Sequence, residues 1–375
     1  MKIKIGLFIF SFLWVYNFSW SESIDPHYLA QINVLEARNE SEIVTFLNKI
    51  KKAGFEGIIL RAFQLKGDRT HRVVNNQTTE GVYFKTEYAP LVYELFPLVV
   101  EIGHRQGLKV WAWMTTRNCR WKMKDEWLEK KYNFATKRIE PGKGLDIFNP
   151  EAVNYLKLLY QDLARTGVDG ILIQDDLILR HNVGFGRYIQ EKFKEKYGID
   201  LSPFILYKGR KYLPYFWKWI ELKTDQLIEV VESLSRAVRE VNSSVFLGLN
   251  IYYETLLSPK NGLAWYSQDI DKLALSSIDY LFFMIYHRQI KQELVNSEQE
   301  NLAIFGKLMN EISKKKIEKK AFVKLQIRDW IKREVIKNNE LKRYFNLIPD
   351  NITGMVFFPI DSYTLSSLKS VSTLF

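Results

Sequence analysis

Residues 167–176, Gly167-Val168-Asp169-Gly170-Ile171-Leu172-Ile173-Gln174-Asp175-Asp176, form a short apolar run that stops on two adjacent acids. The part 168–174 reads as a strand. Near-continuous apolar strands are expected when both faces of a parallel sheet are covered. Just upstream, Asn149-Pro150-Glu151 places a capping residue and a first-turn proline ahead of a helix over 152–166. A helix that delivers the chain into a strand ending in polar side chains is the unit on which the fold turns, because it recurs.

Upstream, strand one reads over 28–35 and a helix over 41–53, with Ile43, Phe46, Leu47 and Ile50 on one face and Gly54 as its stop. Strand two is 57–63, helix two 88–106, and strand three 108–115. Downstream, an insertion with a small helix near 187–197 precedes a long helix over 215–241. Strands five to eight follow at 245–252, 280–286, 321–327 and 352–359. Helices at 267–276, 297–314, 333–346 and 362–370 separate or follow them. Eight strands, each followed by a helical stretch, predict an α/β fold: a single (β/α)8 TIM barrel. Long loops are expected after strands two (64–87), three (116–148) and four, on the face where such barrels build their sites. No G-x-G-x-x-G follows the first strand, which argues against a dinucleotide-binding sheet.

Lys2 and Lys4 precede the apolar run 5–18, and Ser19-Trp20-Ser21 offers small residues before a cut. Residues 1–21 thus read as a secretory signal peptide, with an uncleaved anchor as the alternative, and 22–375 as the barrel. A periplasmic or extracellular location is expected, with the membrane touched only through that segment. The chain has 375 residues, 47% hydrophobic and 26% charged, which is globular composition. Its single cysteine, Cys119, excludes an internal disulfide and any cysteine-built metal site. No H-x-H, H-E-x-x-H or G-x-S-x-G occurs, so neither a metal nor another cofactor is expected, and the esterase reading lapses. The net charge of +11 is dispersed, with one basic run at 314–320 that suits a helix C-terminus. A basic scaffold for anionic lipid or nucleic acid is the weakest reading, and nucleic acid is not expected as a partner. Aromatic residues reach 14%; rings of this kind fill cores and also stack on sugar faces.

Strand ends supply the candidate site. Asp175 and Asp176 follow strand four, and alternation sends one of them into the barrel mouth, where desolvation and a neighbouring carboxylate raise its pKa. A general acid needs that shift. Glu254 after strand five and Asp361 after strand eight are candidates for the second carboxylate that glycoside cleavage requires. Trp113, Tyr253, Trp265 and Tyr286 are stacking candidates. His287 is a candidate to orient a hydroxyl, and Arg61 and Arg117 are candidate charge partners. Each has a plainer reading as core packing, helix capping or structural pairing.

The segment 148–176 resembles the C-terminal glycoside hydrolase domain of the PgaB family, periplasmic poly-β-1,6-N-acetylglucosamine deacetylase/hydrolases. Val110-Trp111-Ala112-Trp113-Met114, Asn250-Ile251-Tyr252-Tyr253-Glu254, Ala264-Trp265-Tyr266-Ser267-Gln268 and Phe358-Pro359-Ile360-Asp361 correspond in order, so the resemblance runs from about 28 to 361. It implies a barrel that binds and cleaves an aminosugar exopolysaccharide. Asp175 and Asp176 would lie in the groove, Trp113 and Tyr253 would line it, and Glu254 would contact sugar. The implied partners are the polysaccharide and the machinery that makes or exports it. The chain departs from the family pattern at Gln174, where a histidine is usual, and at Leu179-Arg180-His181-Asn182 and His287-Arg288, where acids are usual. With no deacetylase motif ahead of the barrel, deacetylation is expected to be absent or done by another protein. A polysaccharide-binding or export module that has lost catalysis is the alternative function.

Overall fold

The computed structural model describes residues 27–73, 78–209, 211–295 and 297–368. The signal reading of 1–21 lies outside these residues. Eight strands, β1 (His27–Ile32), β2 (Gly57–Arg61), β3 (Lys109–Met114), β4 (Gly170–Ile173), β5 (Phe246–Tyr252), β6 (Tyr280–Met284), β7 (Ala321–Gln326) and β8 (Gly354–Phe358), carry the fold. They close in the order β1-β8-β7-β6-β5-β4-β3-β2, and neighbours pair in parallel. Around them lie α1 (Glu40–Lys52), α2 (Phe96–Arg105), α3 (Pro150–Ala164), α4 (Pro214–Val241), α5 (Ile270–Leu275), α6 (Glu298–Lys314), α7 (Asn338–Phe345) and α8 (Ser362–Leu368). This is the (β/α)8 barrel expected from the sequence.

Strand side chains alternate between two cores. The outer core lies between strands and helices; α1 buries the face expected of it, Ile43, Phe46, Leu47 and Ile50. The inner core fills the bore with Leu29, Ile59, Trp111, Leu172, Phe282, Phe322 and Val356. Phe282 and Phe322 stack with centroids 4.6 Å apart. Gly170 and Gly248 make room for these rings, since a Cβ at either would run into Trp111 or Phe282. Burying each large apolar side chain contributes roughly 1.5–3 kcal/mol, so the sealed bore is a stabilising plug.

Three local expectations are corrected. Helix two begins at Phe96 rather than at 88, because Pro90 lacks the N–H that a helix interior needs. Its carbonyl instead accepts the Val82 amide at 2.9 Å. The long loop after β3 contains an antiparallel pair, Leu128–Asn133 with Arg138–Leu145. Both strands are too polar to carry a strand pattern. The helix expected over 333–346 starts at Asn338, after an Arg328–Val335 bridge has turned the chain back. The loops after β2 and β4 hold two further short antiparallel pairs. No helix among the described residues is long and apolar enough to cross a membrane.

Candidate active site at the C-terminal mouth

Above the aromatic plug, the inward-facing positions turn polar. Gln31, Arg61, Asn250 and Lys324 are all buried there, beside Trp113 and Phe358. Lys324 Nζ donates to Asn250 Oδ1 at 2.8 Å and lies 5.7 Å from the centre of the Phe358 ring. Burial pulls its pKa down to about 7, against the charge of Asp175, which favours the ammonium. Sequence reading missed Lys324. The available signal was a lone lysine inside the otherwise apolar run 321–325. Several buried polar atoms at this end have no hydrogen-bond partner among the described residues: both amide atoms of Gln31, Trp113 Nε1, Gln174 Oε1 and Glu254 Oε2. Such atoms are uncommon in folded proteins, and their concentration at one mouth suits a surface that meets a polar ligand.

The adjacent acids separate in environment. Asp176 turns to the loop after β3, where its carboxylate accepts from Thr115 Oγ1 at 2.6 Å, Thr116 Oγ1 at 2.9 Å, and the amides of Thr116 and Asn118 at 3.0 and 2.8 Å. Asp175 turns to the mouth, half-buried, and accepts from Tyr252 Oη at 3.2 Å. Burial raises its pKa, and the Asp176 charge raises it further; Lys324 and the Tyr252 hydroxyl pull the other way.

Tyr252 stacks on Tyr266 with centroids 4.1 Å apart and planes 4° from parallel. Tyr266 Oη donates to Glu254 Oε1 at 2.8 Å. Glu254 opens the short helix Glu254–Leu257, and burial raises its pKa as well. One stacked tyrosine pair therefore holds two carboxyl groups, Asp175 on one ring and Glu254 on the other. Both groups have a larger protonated share than ordinary carboxylates.

The remaining candidates fall into distinct places. Trp113 packs edge-on against Phe358 at 6.0 Å, and Tyr286 packs on Phe358 and Trp330, near enough to Asp175 to feel its charge. Arg61 is buried beside them, bonded to Gln64 Oε1 and the Arg69 carbonyl. Trp265 stands half-exposed beside His181, at 5.4 Å, on an aromatic cleft of about 900 Å³ lined also by Phe134, Tyr207 and Tyr212. Asp361 pairs with Arg328 at 2.8 Å and caps α8. Three candidates face packing. Tyr253 is buried with its hydroxyl on Glu293 at 2.6 Å. His287 is fully enclosed between Glu340 and Tyr344. Arg117 is buried, ion-paired with Glu129, and donates to the Leu145 and Ile178 carbonyls, which ties the loops after β3 and β4 together. Among the described residues no group of three His, Cys, Asp or Glu side chains could hold a metal ion.

Comparison with known proteins adds the following. A family model described as hypothetical glycosyl hydrolase family 13 matches residues 32–356. The glycoside hydrolase domain of PgaB (BpsB) from Bordetella bronchiseptica superposes with a TM-score of 0.73 at 19% identity, covering 92% of this chain and 99% of that one. The catalytic domain of a Paenibacillus polymyxa β-amylase gives 0.58 at 10% identity, over 92% and 97% of the two chains. A β-galactosidase from the psychrophilic Marinomonas ef1 gives 0.61 at 12% identity, over 92% and 58%. At these identities the likeness is one of fold. No curated protein matches the chain.

Proposed function

This chain belongs to hypothetical glycosyl hydrolase family 13, and from that premise we propose that it is an exported glycoside hydrolase acting on an aminosugar exopolysaccharide, poly-β-1,6-N-acetylglucosamine or its partly deacetylated form. The observation that carries the reading is the carboxyl pair held on one tyrosine stack, Asp175 on Tyr252 and Glu254 on Tyr266, at the mouth of the barrel. Asp175, protonated more readily than a solvated aspartate, gives its proton to the glycosidic oxygen as the bond to the leaving sugar breaks. Glu254, with Oε2 unbonded, acts on the anomeric side as base toward water or as nucleophile. Asp176 is a positioning residue that fixes the loop after β3. Trp113, only partly buried, offers ring surface to the sugar, with Tyr286 packed behind on Phe358 and Trp330. The apolar run ahead of Ser21 supports export, and the substrate class rests on the PgaB-like order of motifs along the chain.

The test is release of new reducing ends from purified polysaccharide. Asp175→Asn is expected to lower the rate by 10² or more, in the range a positioned general acid contributes, with an unchanged far-UV circular dichroism spectrum. Hydrolysis by this variant at the wild-type rate would overturn the assignment. The second reading, a non-catalytic binding module, is favoured by one observation: the stretch Leu179-Arg180-His181-Asn182 holds no acid. Wild-type binding with no product from either form would decide for it.

A further inference from the structure

We propose that the cleft across the barrel mouth from the carboxyl pair, between the loops that follow β1, β2, β7 and β8, binds an acidic sugar residue of the glycan through Arg69, Arg328 and Arg333. This rests on the reading of the protein as a barrel that cleaves an aminosugar polymer, and adds that the polymer carries oxyanions, whether as ester-linked acid groups on its sugars or as uronic acids set among them.

The cleft has a volume of about 650 Å³, within the range of small-ligand sites. Arg69, Arg72, Arg328 and Arg333 line it together with Glu36, Asp329 and Asp361. The carboxylates are already engaged. Asp361 takes Arg328 at 2.8 Å and the amides of Tyr363 and Thr364. Asp329 takes Arg288 at 2.8 Å and the amides of Ile331 and Lys332. Glu36 faces Arg72 at 3.9 Å. Arg69 and Arg333 are exposed and form no ion pair among the described residues, and Arg328 Nε is buried without a hydrogen-bond partner. The Arg69 carbonyl is also held by the buried Arg61 guanidinium, itself paired with Asp68 at 3.6 Å. Forked guanidinium groups match the two oxygens of a carboxylate or the oxygens of a phosphate or sulfate ester.

Two features specify a sugar rather than a free anion. Trp330, 40% exposed, lines the same cleft with a ring face of pyranose size. The Trp330 and Tyr286 rings are near perpendicular with centroids 4.8 Å apart, and Tyr286 in turn borders Asp175. A saccharide seated on Trp330 is thus a near neighbour, along one glycan, of the sugar at the carboxyl pair. The same surplus of guanidinium charge repels the ammonium of glucosamine, so of the two polymer forms proposed above the acetylated one is the better ligand.

Titration calorimetry on the purified protein tests this with oligouronates, N-acetylglucosamine oligomers and glucosamine oligomers of equal length, and with inorganic phosphate alone. The expected result is that the oligouronate binds at least about tenfold more tightly than the neutral oligomer, a difference of about 1.4 kcal/mol, and that glucosamine binds weakest. Arg69→Gln combined with Arg333→Gln should bring the acidic and neutral oligomers within about twofold of each other. A thermal midpoint equal to wild type checks that this variant is folded. The Asp175→Asn variant should keep the preference. No charge preference in the wild type, or a preference that survives the double substitution, overturns the proposal. Phosphate binding as tightly as the oligouronate also overturns it, leaving an adventitious ion only. Hydrolysis by Asp175→Asn is read separately, so the catalytic assignment and the acidic subsite stand or fall on different measurements.

Discussion

Lys324 sits with its ammonium enclosed by β5, β7 and β8, facing Asn250, Asp175 and the Phe358 ring. At or below about pH 7 the folded and unfolded chains both hold its proton, and the cost of burying the charge is complete. As pH rises from about 7 toward the ordinary lysine value, the folded chain releases a proton that the unfolded chain keeps, so this residue's contribution to stability climbs. Lys324→Met is therefore expected to melt above wild type at pH 6, with the gain shrinking steadily toward pH 10. A gain that does not vary with pH would contradict the buried ammonium. The same substitution removes a positive charge that holds Asp175 down, so the alkaline limb of kcat/KM should move to higher pH. Single residues were the least legible part of this site. Asp175 and Glu254 stood out because acids followed apolar strands. The division of labour between Asp175 and Asp176 did not, because it depends on where Thr115, Thr116 and Asn118 fall in space. His287 illustrates the converse: its position after a strand resembles that of a site residue, yet the helix it opens, His287–Leu294, turns it inward onto Tyr344.

Among elements, the hairpin Leu128–Asn133 and Arg138–Leu145 shows how an insertion is fastened to a barrel. Glu129 on its first strand pairs with Arg117 after β3, both nearly buried, and also accepts the Lys143 and Gly144 amides at 3.2 Å. Glu129→Ala removes the ion-pair partner of an enclosed guanidinium and leaves it only the charges of Asp176 and Asp146, a loss of up to roughly 3–5 kcal/mol. The thermal midpoint should fall by several degrees. A melt within one degree of wild type would show that the pair contributes little. The barrel helices and strands were readable because their periodicity is strong and glycines or prolines punctuate them. This hairpin was not, since Leu-Glu-Lys-Lys-Tyr-Asn carries no apolar run and takes its order from distant partners, the Arg117–Glu129 pair and the stacking of Tyr132 on Tyr207.

On the scale of the molecule, the chain has two ends with different duties. The eight-strand closure followed from counting helix–strand units, whereas the arginine cleft did not follow from a dispersed net charge of +11, because its residues come from loops more than two hundred positions apart. The opposite face holds Lys109 and His104 on Asp169, at 3.0 and 2.8 Å. Lys109→Ala there is expected to leave reducing-end release at the wild-type rate; a large loss would place chemistry at the wrong end. Between the two faces lie Trp111, Phe282 and Phe322, seated against Gly170 and Gly248. They make the barrel a blind well rather than a tunnel. A long glycan cannot be drawn through it, so strands of any length must drape over the rim and fragments must depart by the side on which they arrived.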